Sequence, residues 1–154
     1  MSNEAVIEGL NIYRAVEACG ERVMRHWAAT APEADIRGGF AAIAEREGNH
    51  ARLLAERIVA LGAEPGPSCV DEALAGFIAR AEATTGSKER LEEFGALVSG
   101  KGEAAEVMAS CGQAIRTAVE QGDPETKSML AEIFVDEKLS IEWCAAQTQA
   151  PAAV

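Results

Sequence analysis

The chain has little aromatic mass and little positive charge. Of 154 residues only 5% are Phe, Trp or Tyr, and 14 Lys and Arg face 25 Asp and Glu, for a net charge of −11. That deficit of basic residues argues against nucleic acid as a partner, because phosphate contacts need a basic face. No run of about 18 apolar residues occurs, so no membrane association through a spanning helix is expected. The segment MSNEAVIEGL lacks the basic-then-apolar order of an export signal, which points to a cytoplasmic protein. Cysteine is sparse and scattered. Cys19, Cys69, Cys111 and Cys144 contain no C-x-x-C, so their spacing reads neither as a zinc site nor as a redox pair. Three of them, Cys19, Cys111 and Cys144, fall in helical patterns, where a free thiol behaves as a small buried hydrophobe. Strand-like alternation is missing as well.

What is present is helix. Hydrophobic residues make up 48% of the chain, mostly Ala, Leu, Ile and Val, and with Glu and Arg they supply many strong helix formers. The length suits one domain with a single sizeable core, over residues 1–149, with 150–154 as a frayed tail. Four long helical patterns cover about 3–29, 32–61, 103–121 and 124–147. Thr30-Ala31-Pro32-Glu33 reads as a capping box between the first two. Gly62 is placed to cap the second, and Asp123-Pro124 to start the fourth. The crossover, 68–102, carries two shorter helical stretches at 71–83 and 88–99. Two hairpins joined by a long helical crossover predict an all-α four-helix bundle.

The apolar seams of these helices contain misplaced polar residues. The second helix reads Ile36, Phe40, Ile43, Glu47, His50, Leu54, Ile58, Leu61 at steps of three and four. A carboxylate and an imidazole stand mid-seam. Burying such groups without partners costs several kcal/mol, roughly, so something must compensate them. The first helix has the seam Leu10, Tyr13, Glu17, Gly20, Met24, Trp27, and the fourth Leu130, Phe134, Glu137, Ile141, Cys144. Each again holds one carboxylate. Singly, a seam Glu usually finds an Arg (Arg14 or Arg22 for Glu17), and a seam His is usually a hydrogen-bonded core residue. Three carboxylates and one His at matching heights on three helices point instead to one shared polar site. Glu and His three apart on a helix face are ligands for iron, manganese or zinc. A metal-free network of Glu17, Glu47, Glu137, His50 and Ser140 is the alternative.

Glu17 with Trp27-Ala28, Glu47-Gly48-Asn49-His50-Ala51 with Leu54, Leu61-Gly62 with Pro65, and Asp136-Glu137 together resemble the rubrerythrin-like branch of the ferritin-like superfamily. The resemblance covers both hairpins and is specific in the first. It implies a ferritin-like bundle in which each hairpin supplies one Glu and one Glu-x-x-His to two irons used in oxidase, peroxidase or storage chemistry. It thus implies Glu17, Glu47, His50 and Glu137 as ligands. The second hairpin departs twice. Ser140 stands where the pattern has His, and 30 residues before Glu137, the spacing of Glu17 from Glu47, lies Val107. The third helix shows the seam Ala104, Met108, Cys111, Ile115, Ala118, with Glu103 and Glu106 just off it. Glu106 is therefore a candidate fifth ligand. The expectation is a ferritin-like protein binding one or two irons, with manganese or zinc as substitutes, and an iron-dependent oxidoreductase with an incomplete di-iron site. It would be a homodimer fed by an external electron donor, since no cysteine pairs exist to hold a rubredoxin-like tail. The alternative is a metal-free ferritin-like bundle acting as a binding or dimerisation module.

Overall fold

In the computed structural model, residues 3–102 and 105–149 are described, and they contain six helices and no strand. These are α1 (Glu4–Thr30), α2 (Ala34–Ala60), α3 (Asp71–Ala83), α4 (Ser87–Val98), α5 (Ala105–Gln121) and α6 (Pro124–Gln149). The expected tail at 150–154, together with Glu103 and Ala104, lies outside the described residues. No described helix is long and apolar enough to cross a membrane.

The punctuation residues act through their backbone chemistry. Gly62 sits at φ +88°, and it and Ala63 donate their N–H groups to the carbonyls of Val59 and Ile58. That closes the last turn of α2, as a left-handed glycine cap does. Asp123 accepts the Thr126 N–H at 2.8 Å and Pro124 opens α6. The capping box does not form. Thr30 instead remains in α1 and donates back to the His26 carbonyl, while Glu33 flanks α2 with no side-chain cap. The break falls where Pro32 demands it, but the end of α1 is held by a buried arginine. Arg90 of α4 donates to Thr30 Oγ1 and to the carbonyls of Thr84 and Trp27.

α1 and α2 pack along their full length, about 40 Å of helix each. α5 lies on the other flank of α1, where Gly9 lets the backbone of Ala114 approach; a Cβ there would stand 2.6 Å from its carbonyl oxygen. α6 lies against α2 and α4. The indole of Trp143 rests on Gly39, and Phe40 joins it to Trp27 with ring centroids 5.8 and 5.4 Å apart. Arg57 clamps the far end of α2 to the start of α6, donating to Thr126, Glu125 and Asp123. α4 packs chiefly on α6, and α5 and α6 meet only modestly beyond their short turn. α3 is tied to α1 by Trp27 Nε1, which donates to the Ala81 carbonyl at 2.7 Å.

The seams of α1 and α2 lie in the core as expected, with Leu61 half-buried. The seam of α6 is rotated from the expected one. Its buried face is Leu130, Ile133, Ser140 and Cys144, with Glu137 between, whereas Phe134 and Ile141 are 39% and 40% exposed. The reason is tertiary. α6 spreads its apolar residues over several faces, so composition does not choose its inner face. The choice follows from what α2 and α4 present. Thr126, Leu130, Ile133, Glu137, Ser140 and Cys144 make one continuous stripe toward α2, and Phe134 and Ile141 fall on the flank toward the open side.

Candidate metal centre

Halfway along the bundle, α1, α2 and α6 each present polar groups to one point. Glu17 is 2% exposed, Glu47 6% and His50 1%. Neither arginine suggested for Glu17 serves it: Arg14 donates to the Gly66 carbonyl and Arg22 to Glu82. His50 does. Its Nδ1 donates to Glu17 Oε2 at 3.0 Å, and Glu137 Oε1 stands 3.1 Å from the same nitrogen. Because the Nδ1–H is aimed at Glu17, Glu137 Oε1 is left buried without a hydrogen bond. The other ring nitrogen, Nε2, pairs with Asp136 Oδ2 at 3.2 Å. Asp136 is half-exposed and reaches in from the surface.

Glu47 completes the wall. Its Oε1 is buried with no partner. Its Oε2 occupies space that only a glycine on α1 leaves open, since a Cβ on Gly20 would lie 2.4 Å from it. Burial raises Glu17 to about 7 and raises Glu47 well above the ordinary carboxylate range. The neighbouring carboxylates of Glu17 and Glu137 raise Glu47 further. Burial pushes the His50 imidazolium down, but its neighbours Glu137, Glu17 and Asp136 outweigh that and hold it at about 10. Without a metal, the cluster is held together by the ion pairs of His50 with Glu17, Glu137 and Asp136.

These donors fit a metal ion. Ligand atoms of Glu17, His50 and Glu137 all lie within 4.8 Å of one another. Two atoms each about 2.1 Å from one ion lie at most about 4.2 Å apart, so a few tenths of an ångström of closure suffice. Carboxylate and imidazole suit iron, manganese and zinc. Asp136 supplies what ligating histidines generally have, a carboxylate on the far ring nitrogen that orients the ring and raises its basicity. Sequence reasoning noted Asp136 beside Glu137 without giving it this part. The available signal was the doubled acid on a seam that tolerates one.

The second position does not fit. Ser140, fully buried, is held by a cation: Arg46 Nη1 donates to its Oγ at 3.1 Å, and the same guanidinium lowers Glu47. On α5 the buried face is Val107, Cys111, Ala114 and Ala118. Val107 fills the register where a carboxylate is missing, and burial pushes the Cys111 thiol up to about 12. Glu106, the candidate fifth ligand, is exposed on the first turn of α5 and is not brought to the group. An exposed side chain there keeps its hydration, and the helix would have to turn by more than a quarter-turn to bring it in. Glu103 lies outside the described residues. Cys19 and Cys144 are likewise buried, protonated thiols, pushed up to about 12 by burial.

The helical hairpins, the mid-bundle carboxylates and the Glu-x-x-His of α2 define a ferritin-like protein. A sequence model of the ferritin-like domain matches residues 37–152, most of the chain, and the chain belongs to that family. The match begins inside α2, so the place of Glu17 rests on the fold of α1. No curated protein and no solved structure matches the chain.

Proposed function

We propose that the chain is a ferritin-like metalloprotein of rubrerythrin-like type, with one metal ion, iron in the first instance, held by Glu17, His50 and Glu137 and backed by Glu47. The observation that carries this is the poorly satisfied wall: Glu47 Oε1 is buried with no partner, and Glu137 Oε1 has only its 3.1 Å ion pair with His50, around three donors within reach of one ion. Buried polar atoms without partners are rare in native proteins, and an ion would satisfy both. When bound, iron supplies redox chemistry toward dioxygen or peroxide, so the reading is an iron-dependent oxidoreductase. Manganese or zinc would fit the same donors.

The residues have separable tasks. Glu17 and Glu137 give charge to the ion. His50 gives Nδ1 once its proton leaves, with Nε2 kept on Asp136, which also joins the buried ring to solvent as a proton outlet. Gly20 lets Glu47 lie close. Arg46 places a positive charge beside Ser140, which disfavours a second cation; a single ion is the consequence. Electrons would come from an external donor protein. Val135 and Leu139, exposed on α6, would suit a homodimer face.

The test is a thermal melt of metal-free protein with iron(II), manganese(II) or zinc(II), beside the Glu47→Ala/His50→Ala variant. An ion binding only the native state adds about 2.7 kcal/mol at a hundredfold excess over Kd, or roughly 5–10 °C in a chain this size. Wild type should gain this and the variant should not. A second reading, a metal-free binding or dimerisation module, is favoured by the ion pairs that His50 already makes with Glu17 and Asp136. Identical melts with and without every metal would select it.

A further inference from the structure

Between α1, α4, α5 and α6 lies a cavity of about 210 Å³. Trp27 and Met24 of α1 line its depth, Phe94 and Leu97 of α4 cover it, and Ile115 lies on the α5 side. Glu17, Glu47 and Glu137 form the polar part of its wall, so it opens directly onto the candidate metal centre. Elsewhere its lining is almost wholly apolar.

Size and chemistry narrow the occupant. An apolar cavity of about 150 Å³ accepts benzene. One of about 210 Å³ takes a single ring with a short substituent, or a chain of similar bulk. Water placed among Met24, Trp27, Phe94 and Ile115 would find few hydrogen-bond partners. An anion would meet three carboxyl groups. Phe134 and Ile141, half-exposed on α6, also line the cavity and provide an apolar approach from solvent. An apolar pocket with a few convergent polar groups is the usual form of a small-molecule site.

We propose that this cavity binds a neutral, apolar organic molecule of about one aromatic ring and presents it to the Glu17–His50–Glu137 group. Its role as co-substrate rests on the proposed metal centre. The binding itself does not, because the apolar walls exist without the ion.

The experiment uses the full, metal-free chain with toluene as the probe and benzoate as its charged counterpart, read by thermal melts and by NMR shifts of the Met methyl groups. Toluene at about ten times its Kd should raise the melting temperature by about 3–5 °C and shift Met24 and Met108, while benzoate does neither. Ile115→Phe, which places a ring in the cavity, should remove the response. If that variant does not fold, Met108→Phe fills the cavity from two turns earlier on α5. No toluene response in wild type, an equal response in a folded cavity-filled variant, or an equal response to benzoate would each overturn the proposal. Manganese(II) titration of the same samples separates the two readings. Toluene binding without metal binding leaves the cavity site standing and removes the metal centre, and metal binding without toluene binding does the reverse.

Discussion

His50 holds two kinds of contact at once, and they have different consequences when changed. Nδ1 faces Glu17 and Glu137, the group that would take an ion; Nε2 faces Asp136, which only orients and charges the ring. Asp136→Asn keeps the shape and removes the charge. Metal affinity should fall about 10–100-fold, as it does when a ligating histidine loses its carboxylate partner. Stability of the metal-free protein should change by less than about 1 kcal/mol, because Asp136 is half-exposed and its pairing is screened. Calorimetric titration with zinc(II) or manganese(II) checks the first, and urea unfolding the second. Unchanged affinity would mean that Asp136 is a surface residue that merely lies near the ring. Glu17, His50 and Glu137 come together, with Glu47 beside them, because a mid-seam polar residue on a long helix is carried toward the core. Asp136 was harder to read. One position along from Glu137, it belongs by helical geometry to a different face, and only the reach of its side chain and the tilt of α6 bring it to Nε2.

At the scale of elements, α6 is the informative helix. It is apolar on several faces, so the pattern Leu130, Phe134, Glu137, Ile141, Cys144 and the pattern Leu130, Ile133, Glu137, Ser140, Cys144 are equally good 3–4 seams in the sequence. Packing selects the second. Ile133 is 1% exposed and fully surrounded, and its truncation to Ala should cost about 2–4 kcal/mol. Ile141→Ala should cost less than about 1 kcal/mol, since that side chain already meets solvent. Urea denaturation of both variants decides it, and a larger cost at Ile141 than at Ile133 would show that α6 is turned the other way. Ser140 on the buried seam explains the arginine. A lone buried hydroxyl needs partners, and it has the Asp136 carbonyl and the Arg46 guanidinium.

The whole molecule should respond to pH through its buried cluster. Glu17 rises from an ordinary 4.5 to about 7 and Glu47 rises well above its ordinary value, both chiefly through burial. A raised folded pKa means that the stability is fully present below the unfolded value and is lost as pH rises through the folded one. Metal-free protein should therefore be most stable near pH 5 and lose on the order of 2 kcal/mol by pH 8, as Glu17 is forced to ionise. His50 adds a loss of the same sign only as pH climbs from about 6.5 through about 10. Metal binding reverses the trend, since the ion takes deprotonated ligands and binding releases protons. Melting curves at pH 5, 6.5 and 8, with and without manganese(II), test both slopes. A metal-free protein that gains stability from pH 5 to 8 would show that the cluster is hydrated rather than buried.

By itself the sequence determined the helices, their stops and the height of the polar site. Those depend on local causes: the 3.6-residue period, glycine's tolerance of positive φ at Gly62, and proline's missing donor at Pro32 and Pro124. Only the tertiary structure decided which face of α6 turns inward, that Arg46 answers Ser140, that Glu106 stays in solvent, and that α1, α4, α5 and α6 enclose a cavity. Each of these is a choice between faces or partners that are equivalent along one chain. They differ only when a second helix arrives to bury one and leave the other wet.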